Sequence, residues 1–267
     1  MNVLQRGLFL ILTEKLGLAH GSGGFVLMLI GAYLLCLVSG YLLGSLNSAV
    51  VTSRILYRDD VRRHGSKNAG LTNMFRVYGV RGALPTLLGD ILKAVLAVFI
   101  GALLMGFGYV GGFALGGDAS LSFGVYISAV ACVFGHVWPI FYRFRGGKGV
   151  LCSVTAVLML CPWVGLLMIL VFAIIVWATK YVSLGSVTAA ALFPIFLSPV
   201  FRAFFEGVEA APFHMTVFAL AIAALVIYCH RANIKRLWNR EESKFSFHRK
   251  SAPPTPVGKK DGSDESN

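Results

Sequence analysis

Two short runs of this chain carry the residue types that bind phosphate. The first is Gly65 to Arg76, GSKNAGLTNMFR, in which hydroxyls, amides and glycines close on an arginine. Ser66, Asn68, Thr72 and Asn73 supply neutral donors, Gly70 leaves room for the backbone, and Arg76 can grip an oxyanion with two N–H groups at once. The second is Gly135 to Val150, GHVWPIFYRFRGGKGV. The turn Gly146-Gly147-Lys148-Gly149 suits an anion nest of backbone N–H groups opening onto a helix start, with the Lys148 ammonium beside it. A plain basic loop that only fixes membrane orientation fits this stretch equally well.

Two further polar clusters follow. Tyr181 to Ser186, YVSLGS, offers Ser183 and Ser186, either to an oxyanion or to a helix start. His230 and Asn233 lie three apart in HRANIKRL, on one helix face. Together these segments hold more anion-binding capacity than one phosphate needs, so two phosphates, or a phosphate and a phosphorylated lipid precursor, suit them. The paired carboxylates of a magnesium-dependent phosphotransferase are absent from these loops, and the expectation is no metal site and no cofactor.

The elements that must position these groups are membrane spans. The chain of 267 residues is 57% hydrophobic and 13% charged, with mean hydropathy +0.74, whereas soluble domains are about 25% charged. This is an all-α, polytopic integral membrane protein. Its net charge of +12 flanks apolar spans, which points to topology and anionic lipid and away from nucleic acid. The five cysteines lie in or beside apolar stretches without metal spacing and read as reduced core residues.

Spans are expected at about 25–49, 82–105, 121–139, 184–201 and 212–229. Residues 150–178 are too long for one crossing: a single helix there would reach about 43 Å against a hydrocarbon core of about 30 Å. A split at Pro162 into 149–161 and 163–179 gives seven spans. It also leaves every lysine- and arginine-rich segment on one side, as cytoplasmic loops require. The N-terminus is then periplasmic and the C-terminus cytoplasmic. Gly40 and Gly44 read as helix-packing positions. Asp90 and Lys93, three apart in the second span, read as an internal ion pair or a functional pair. Residues 1–24 form an amphipathic extension, 25–242 the transmembrane domain, and 243–267 a disordered cytoplasmic tail.

The four motifs, in this order, resemble those of the bacterial acyl-phosphate:glycerol-3-phosphate acyltransferase family, PlsY, over roughly 25–242. Gly65, Ser66, Asn68, Gly70, Thr72, Asn73 and Arg76 match its first motif. Gly135, His136, Pro139, Phe144, Gly146, Gly147, Lys148 and Gly149 match its second. Tyr181, Val182, Ser183, Leu184 and Ser186 match its third, His230, Arg231, Asn233, Ile234, Arg236 and Leu237 its last, and Glu242 its structural glutamate. Departures are mild: Lys67, Leu71, Gly185, Leu151-Cys152 and Arg240 replace the residues usual there, and Lys67 stands where glycine is usual.

The resemblance implies an inner-membrane enzyme with its active site at the cytoplasmic face. It would move a fatty acyl group from acyl phosphate to the 1-hydroxyl of glycerol 3-phosphate, the first committed step of phospholipid synthesis, fed by an acyl-phosphate-producing enzyme. It implies a polar site of Ser66, Arg76, Lys148, Ser183, His230 and Asn233, with the glycine turn receiving acyl phosphate. The HxxxxD motif of other glycerolipid acyltransferases is absent, so the base is either His230 or the substrate's own phosphate. A transporter of a phosphorylated small molecule is the alternative.

Overall fold

The computed structural model describes residues 3–106, 109–110, 113–114, 123–198 and 213–245. Apart from a two-residue hairpin pairing Tyr109–Val110 with Phe113–Ala114 and two short 3-10 turns, its regular structure is helical. In chain order the helices are α1 Val3–Lys15, α2 Gly23–Ser45, α3 Ser48–Tyr57, α4 Leu71–Met105 and α5 Phe123–Val137. Then come α6 Val150–Leu160, α7 Pro162–Thr179, α8 Val182–Phe196, α9 Phe213–Cys229 and α10 Arg231–Trp238.

Among the described residues, four helical stretches are long and apolar enough to cross a membrane, or five if the bent α9–α10 pair counts as one span. They are Gly23–Tyr57, Leu71–Met105, Phe123–Tyr142 and Pro162–Thr179, while α6 and α8 are shorter apolar helices. Each of the seven expected spans thus has a helix, but two boundaries differ. The first span, expected at 25–49, ends at Ser45, and a separate helix, α3, follows from Ser48; it begins because Asn47 accepts a hydrogen bond from Val50 N–H at 3.0 Å and so caps it. The helix expected to start at 82 starts at Leu71 and runs 35 residues, with a break in helical geometry at Gly79.

The break expected near Pro162 falls at Cys161, whose φ of −150° ends α6, with Pro162 opening α7. Proline fits a first helical position because the N–H it lacks has no helical partner there. Trp163 and Trp177 at the two ends of α7 are 70% and 77% exposed. They lie about 21 Å apart along the axis, the placement of interfacial aromatic belts.

The core is formed by α4, α5, α6, α7, α8 and α9, around Ala97, Val98, Ala129, Val133, Ala156, Phe193 and Phe218. Leu27, Leu88 and Leu170 face outward and are more than half exposed, as lipid-facing positions are. Gly40 and Gly44 do pack helices: a Cβ at Gly44 would stand 2.0 Å from the Cys132 carbonyl oxygen of α5, and one at Gly40 would stand 2.4 Å from that of Ser128.

In the N-terminal extension, α1 lays Phe9 against Phe25 and Met105. At the other end Ser243 to Phe245 do not leave the body. Phe245 N–H donates to the Lys180 carbonyl at 2.7 Å, which holds this short stretch against the body, and residues 246–267 lie outside the described residues. Residues 199–212, and those of 107–122 other than 109–110 and 113–114, lie outside them as well.

Candidate active site

The first motif is built around Asn73. Its side-chain amide donates to the carbonyls of Val61, His64 and Asn68 at 3.2, 3.1 and 3.0 Å, and its Oδ1 accepts Ser66 N–H at 2.8 Å. Every polar atom of this buried side chain is spent on shaping the loop, so Asn73 organises the motif and has no donor left for a ligand. Lys67, in the place of a usual glycine, sits at φ 59°, the left-handed region that glycine enters freely. A second residue ties this loop to the next. Arg62 pairs with Asp60 at 2.6 Å and donates to the Tyr142 and Arg145 carbonyls, both at 3.0 Å. Hydrogen bonding from Arg62 holds the Asp60 carboxyl down at about 2.

The glycine turn is closed differently from an open nest. Gly146 N–H and Gly147 N–H donate to the carbonyls of Val137 and His136, each at 3.1 Å. A Cβ at Gly147 would stand 2.1 Å from His136 Nε2 and 2.7 Å from the Ala69 carbonyl oxygen. These glycines serve close packing, and their N–H groups are not offered to an anion. Gly149, at φ 77°, opens α6 and lines the cavity below it.

Lys148 leads a network that spans three segments. Its Nζ donates to Asn233 Oδ1 at 2.5 Å, and Asn233 Nδ2 donates to Glu242 Oε1 at 2.6 Å. Glu242 also accepts from Ser183 Oγ at 2.8 Å and from Arg236 Nε at 2.7 Å. Burial would raise the Glu242 carboxyl, but its three donors outweigh that and hold it below its ordinary value. Burial pushes the Lys148 ammonium down to about 8, with Arg236 and Arg76 adding to the shift and Glu242 opposing it. His230, at the bend between α9 and α10, contacts the Val226 carbonyl through Nδ1 at 2.8 Å. A carbonyl only accepts, so Nδ1 carries the proton and Nε2 keeps its lone pair. Burial, then Lys148, lower His230 to about 4, and it is neutral at pH 7.

These residues enclose a cavity of about 1040 Å³. Ser66, Asn68, Gly70, Thr72, Asn73, Arg76, Lys148, Gly149, Ser183, Ser186, His230 and Asn233 all line it; Gly146 and Gly147 do not. Ser186 Oγ is turned back to the Val182 carbonyl at 3.0 Å. Among the described residues the Arg76 guanidinium has no hydrogen-bond or ion-pair partner, so it is available to an anion. The cavity continues between α6, α7, α8 and α9 as an apolar chamber lined by Val157, Met168, Phe172, Ala190, Phe193 and Ile222. Arg236 joins Glu242, already named as structural, at the polar end; its spacing of three from Asn233 was the signal available in the sequence. Asp90 and His136 form part of the wall. The Asp90–Lys93 pair is real, at 2.9 Å, and His136 completes it.

A helical membrane protein with unneutralised cations at one end of an apolar chamber is built for an amphiphile carrying phosphate. The comparisons make the class specific. Residues 34–240 match the glycerol-3-phosphate acyltransferase family. The glycerol-3-phosphate acyltransferase of Thermoanaerobacter pseudethanolicus is 38% identical over 208 residues, which cover 78% of this chain and 93% of the relative. That of Clostridioides difficile is 40% identical over 218 residues, 82% of this chain and 98% of the relative. The crystal structure of PlsY, an integral membrane glycerol 3-phosphate acyltransferase, in its glycerol 3-phosphate form has 31% sequence identity and a TM-score of 0.67. It covers 80% of this chain and 96% of its own. The lysophosphatidic acid form of the same enzyme matches at 30% identity and a TM-score of 0.64. The chain belongs to the glycerol-3-phosphate acyltransferase family, and the transporter alternative is set aside.

Proposed function

We propose that this protein acylates the 1-hydroxyl of glycerol 3-phosphate with acyl phosphate as donor, giving lysophosphatidic acid and inorganic phosphate. The observation that carries the proposal is the joining of Arg76 and Lys148 to the apolar chamber in one cavity. The acyl chain lies in the chamber, and the two cations, with Ser66 and Asn68, hold the phosphates of donor and acceptor. The glycerol oxygen attacks the acyl carbonyl, and the bond from that carbon to the phosphate oxygen breaks. A histidine held near 4 is a weak base at neutral pH, so the departing phosphate takes the hydroxyl proton and His230 accepts a hydrogen bond to orient the acceptor. Glu242, Asn233 and Ser183 hold Lys148 in place.

In this reading α2, α4, α5, α6, α7, α8 and α9 are seven crossings of a bacterial inner membrane, with the site at the cytoplasmic face. The clustering of Arg54, Arg58, Arg143 and Arg145 at that end supports the orientation. An acyl-phosphate-producing enzyme supplies the donor. The test is purified full-length protein in lipidic mesophase with radiolabelled glycerol 3-phosphate and palmitoyl phosphate. Lysophosphatidate and phosphate formed one to one support the reaction; folded protein that forms neither overturns it.

A further inference from the structure

The wall of the cavity holds a buried cluster that the reaction above does not use. Asp90, Lys93 and His136 are 1%, 4% and 4% exposed. An ammonium has three N–H groups. Those of Lys93 reach the Gly44 carbonyl at 3.2 Å, the Leu46 carbonyl at 3.1 Å and His136 Nδ1 at 2.8 Å. Asp90 Oδ1, 2.9 Å from Nζ, balances the charge.

Each of these contacts leads to a loop of the site. The Gly44 carbonyl belongs to the last turn of α2 and the Leu46 carbonyl to the residue that caps it, where a helix leaves its carbonyls unpaired. The next residue, Asn47, caps α3 and donates to the Ala69 carbonyl at 3.4 Å, one residue before Gly70 opens the helix that carries Arg76. On the other side, His136 Nε2 lies against Gly147, and the His136 carbonyl receives Gly147 N–H; Lys148 is next in the chain. The Ala69 carbonyl and Gly147 also face each other directly. Asp90, His136 and Cys152 bring ligand-type atoms within 4.8 Å of one another, and the Lys93 ammonium already stands among them as the cation. Buried ion pairs contribute little net stability relative to apolar replacements. A pair that served helix cohesion alone would not need to direct all three donors at the boundaries of two site loops.

We propose that Lys93, charge-balanced by Asp90, is a positioning residue for acyl transfer. Through the end of α2 it fixes the loop before Arg76, through His136 it fixes the turn before Lys148, and it thereby sets how the two cations face each other. The proposal rests on the reading of Arg76 and Lys148 as the phosphate-binding cations.

The test compares full-length wild type with Asp90→Asn/Lys93→Met, which removes both charges together and strands neither. Thermal unfolding, kcat per folded molecule, both KM values and the pH profile are measured in the acyl phosphate assay. The expected result is a folded protein whose kcat falls about 100-fold, as a displacement of order 1 Å at a catalytic centre produces, with a shifted alkaline limb. A folded double variant with wild-type kcat and an unshifted limb overturns the proposal and leaves a structural ion pair. If the double variant does not fold, His136→Asn decides. Its Oδ1 stands in for Nδ1 as the acceptor for Lys93, but the ring edge against Gly147 is lost, so kcat falls while the unfolding temperature holds. Full kcat in that variant overturns the proposal. An inactive wild type overturns the acyl-transfer reading and this proposal with it; active wild type and active variants overturn this proposal alone.

Discussion

Lys148 and Asn233, 85 positions apart, meet at 2.5 Å, Nζ donating to Oδ1. That bond joins the turn before α6 to α10 and leaves the other Lys148 protons for a ligand. Glu242, the carboxylate that acts on Lys148 electrostatically, bonds to Asn233 and Arg236, so the ammonium is held in place without being neutralised by direct contact. In the proposed reaction an incoming phosphate would meet a cation already in position, leaving little reorganisation to the moment of reaction.

Replacing Lys148 with alanine removes that charge and lowers kcat/KM by about 1000-fold, the scale of losing a principal oxyanion donor. The unfolding temperature should move little, because the lysine is a ligand-facing end of the network. Steady-state kinetics on protein of verified fold check this. Wild-type rates in Lys148→Ala would remove the cavity from the account.

The pH dependence follows from the same residue. The Lys148 ammonium, lowered to about 8 by burial, is charged below that value and neutral above it. Binding of phosphates needs the charged form, so kcat/KM is steady through neutrality and falls as pH rises through about 8. Glu242→Gln removes the carboxylate that opposes the shift, and the limb then moves to lower pH. A profile flat to pH 10 contradicts this assignment.

Glu242 also bears on stability. Its folded pKa lies below the ordinary 4.5, so its contribution is full above that value and is lost as pH falls through the folded one. Glu242→Gln should cost about 2 kcal/mol at pH 7, the worth of hydrogen bonds to a charged group. The difference from wild type should shrink on acidification. Thermal unfolding at pH 7 and at pH 3 checks both halves.

His230 separates the two candidate bases. If the substrate phosphate takes the proton, His230→Gln retains an acceptor near Nε2, raises KM for glycerol 3-phosphate and lowers kcat by no more than about 10-fold. Loss of a true general base costs about 100-fold or more in kcat. Initial rates at saturating acceptor distinguish the cases.

Much of this architecture was legible because the chemistry is contiguous in the chain. Ser66 to Arg76 and Gly146 to Gly149 announce themselves by composition, and the break at Cys161 follows from a span too long for a bilayer. The roles inside the motifs were less legible. Asn73 looks like a ligand donor, yet it spends its whole amide on three carbonyls and one N–H. Gly146 and Gly147 look like an anion nest, yet their N–H groups close on the end of α5. Both outcomes depend on what lies across the loop, which no local pattern records. The tie from Arg62 to the second loop gave no signal, because Tyr142 and Arg145 offer it only backbone carbonyls. The Asp90–Lys93 spacing showed the pair, but not that His136 would complete it from another helix.

The most direct test of the central claim is a choice of donors. Purified full-length protein is given radiolabelled glycerol 3-phosphate with palmitoyl phosphate, palmitoyl-CoA or palmitoyl-acyl carrier protein in parallel, each with and without EDTA. Lysophosphatidate from palmitoyl phosphate alone, at a rate EDTA does not change, is the result predicted for a cavity in which Arg76 and Lys148 neutralise the phosphates. Product from a thioester donor and none from palmitoyl phosphate would contradict the account.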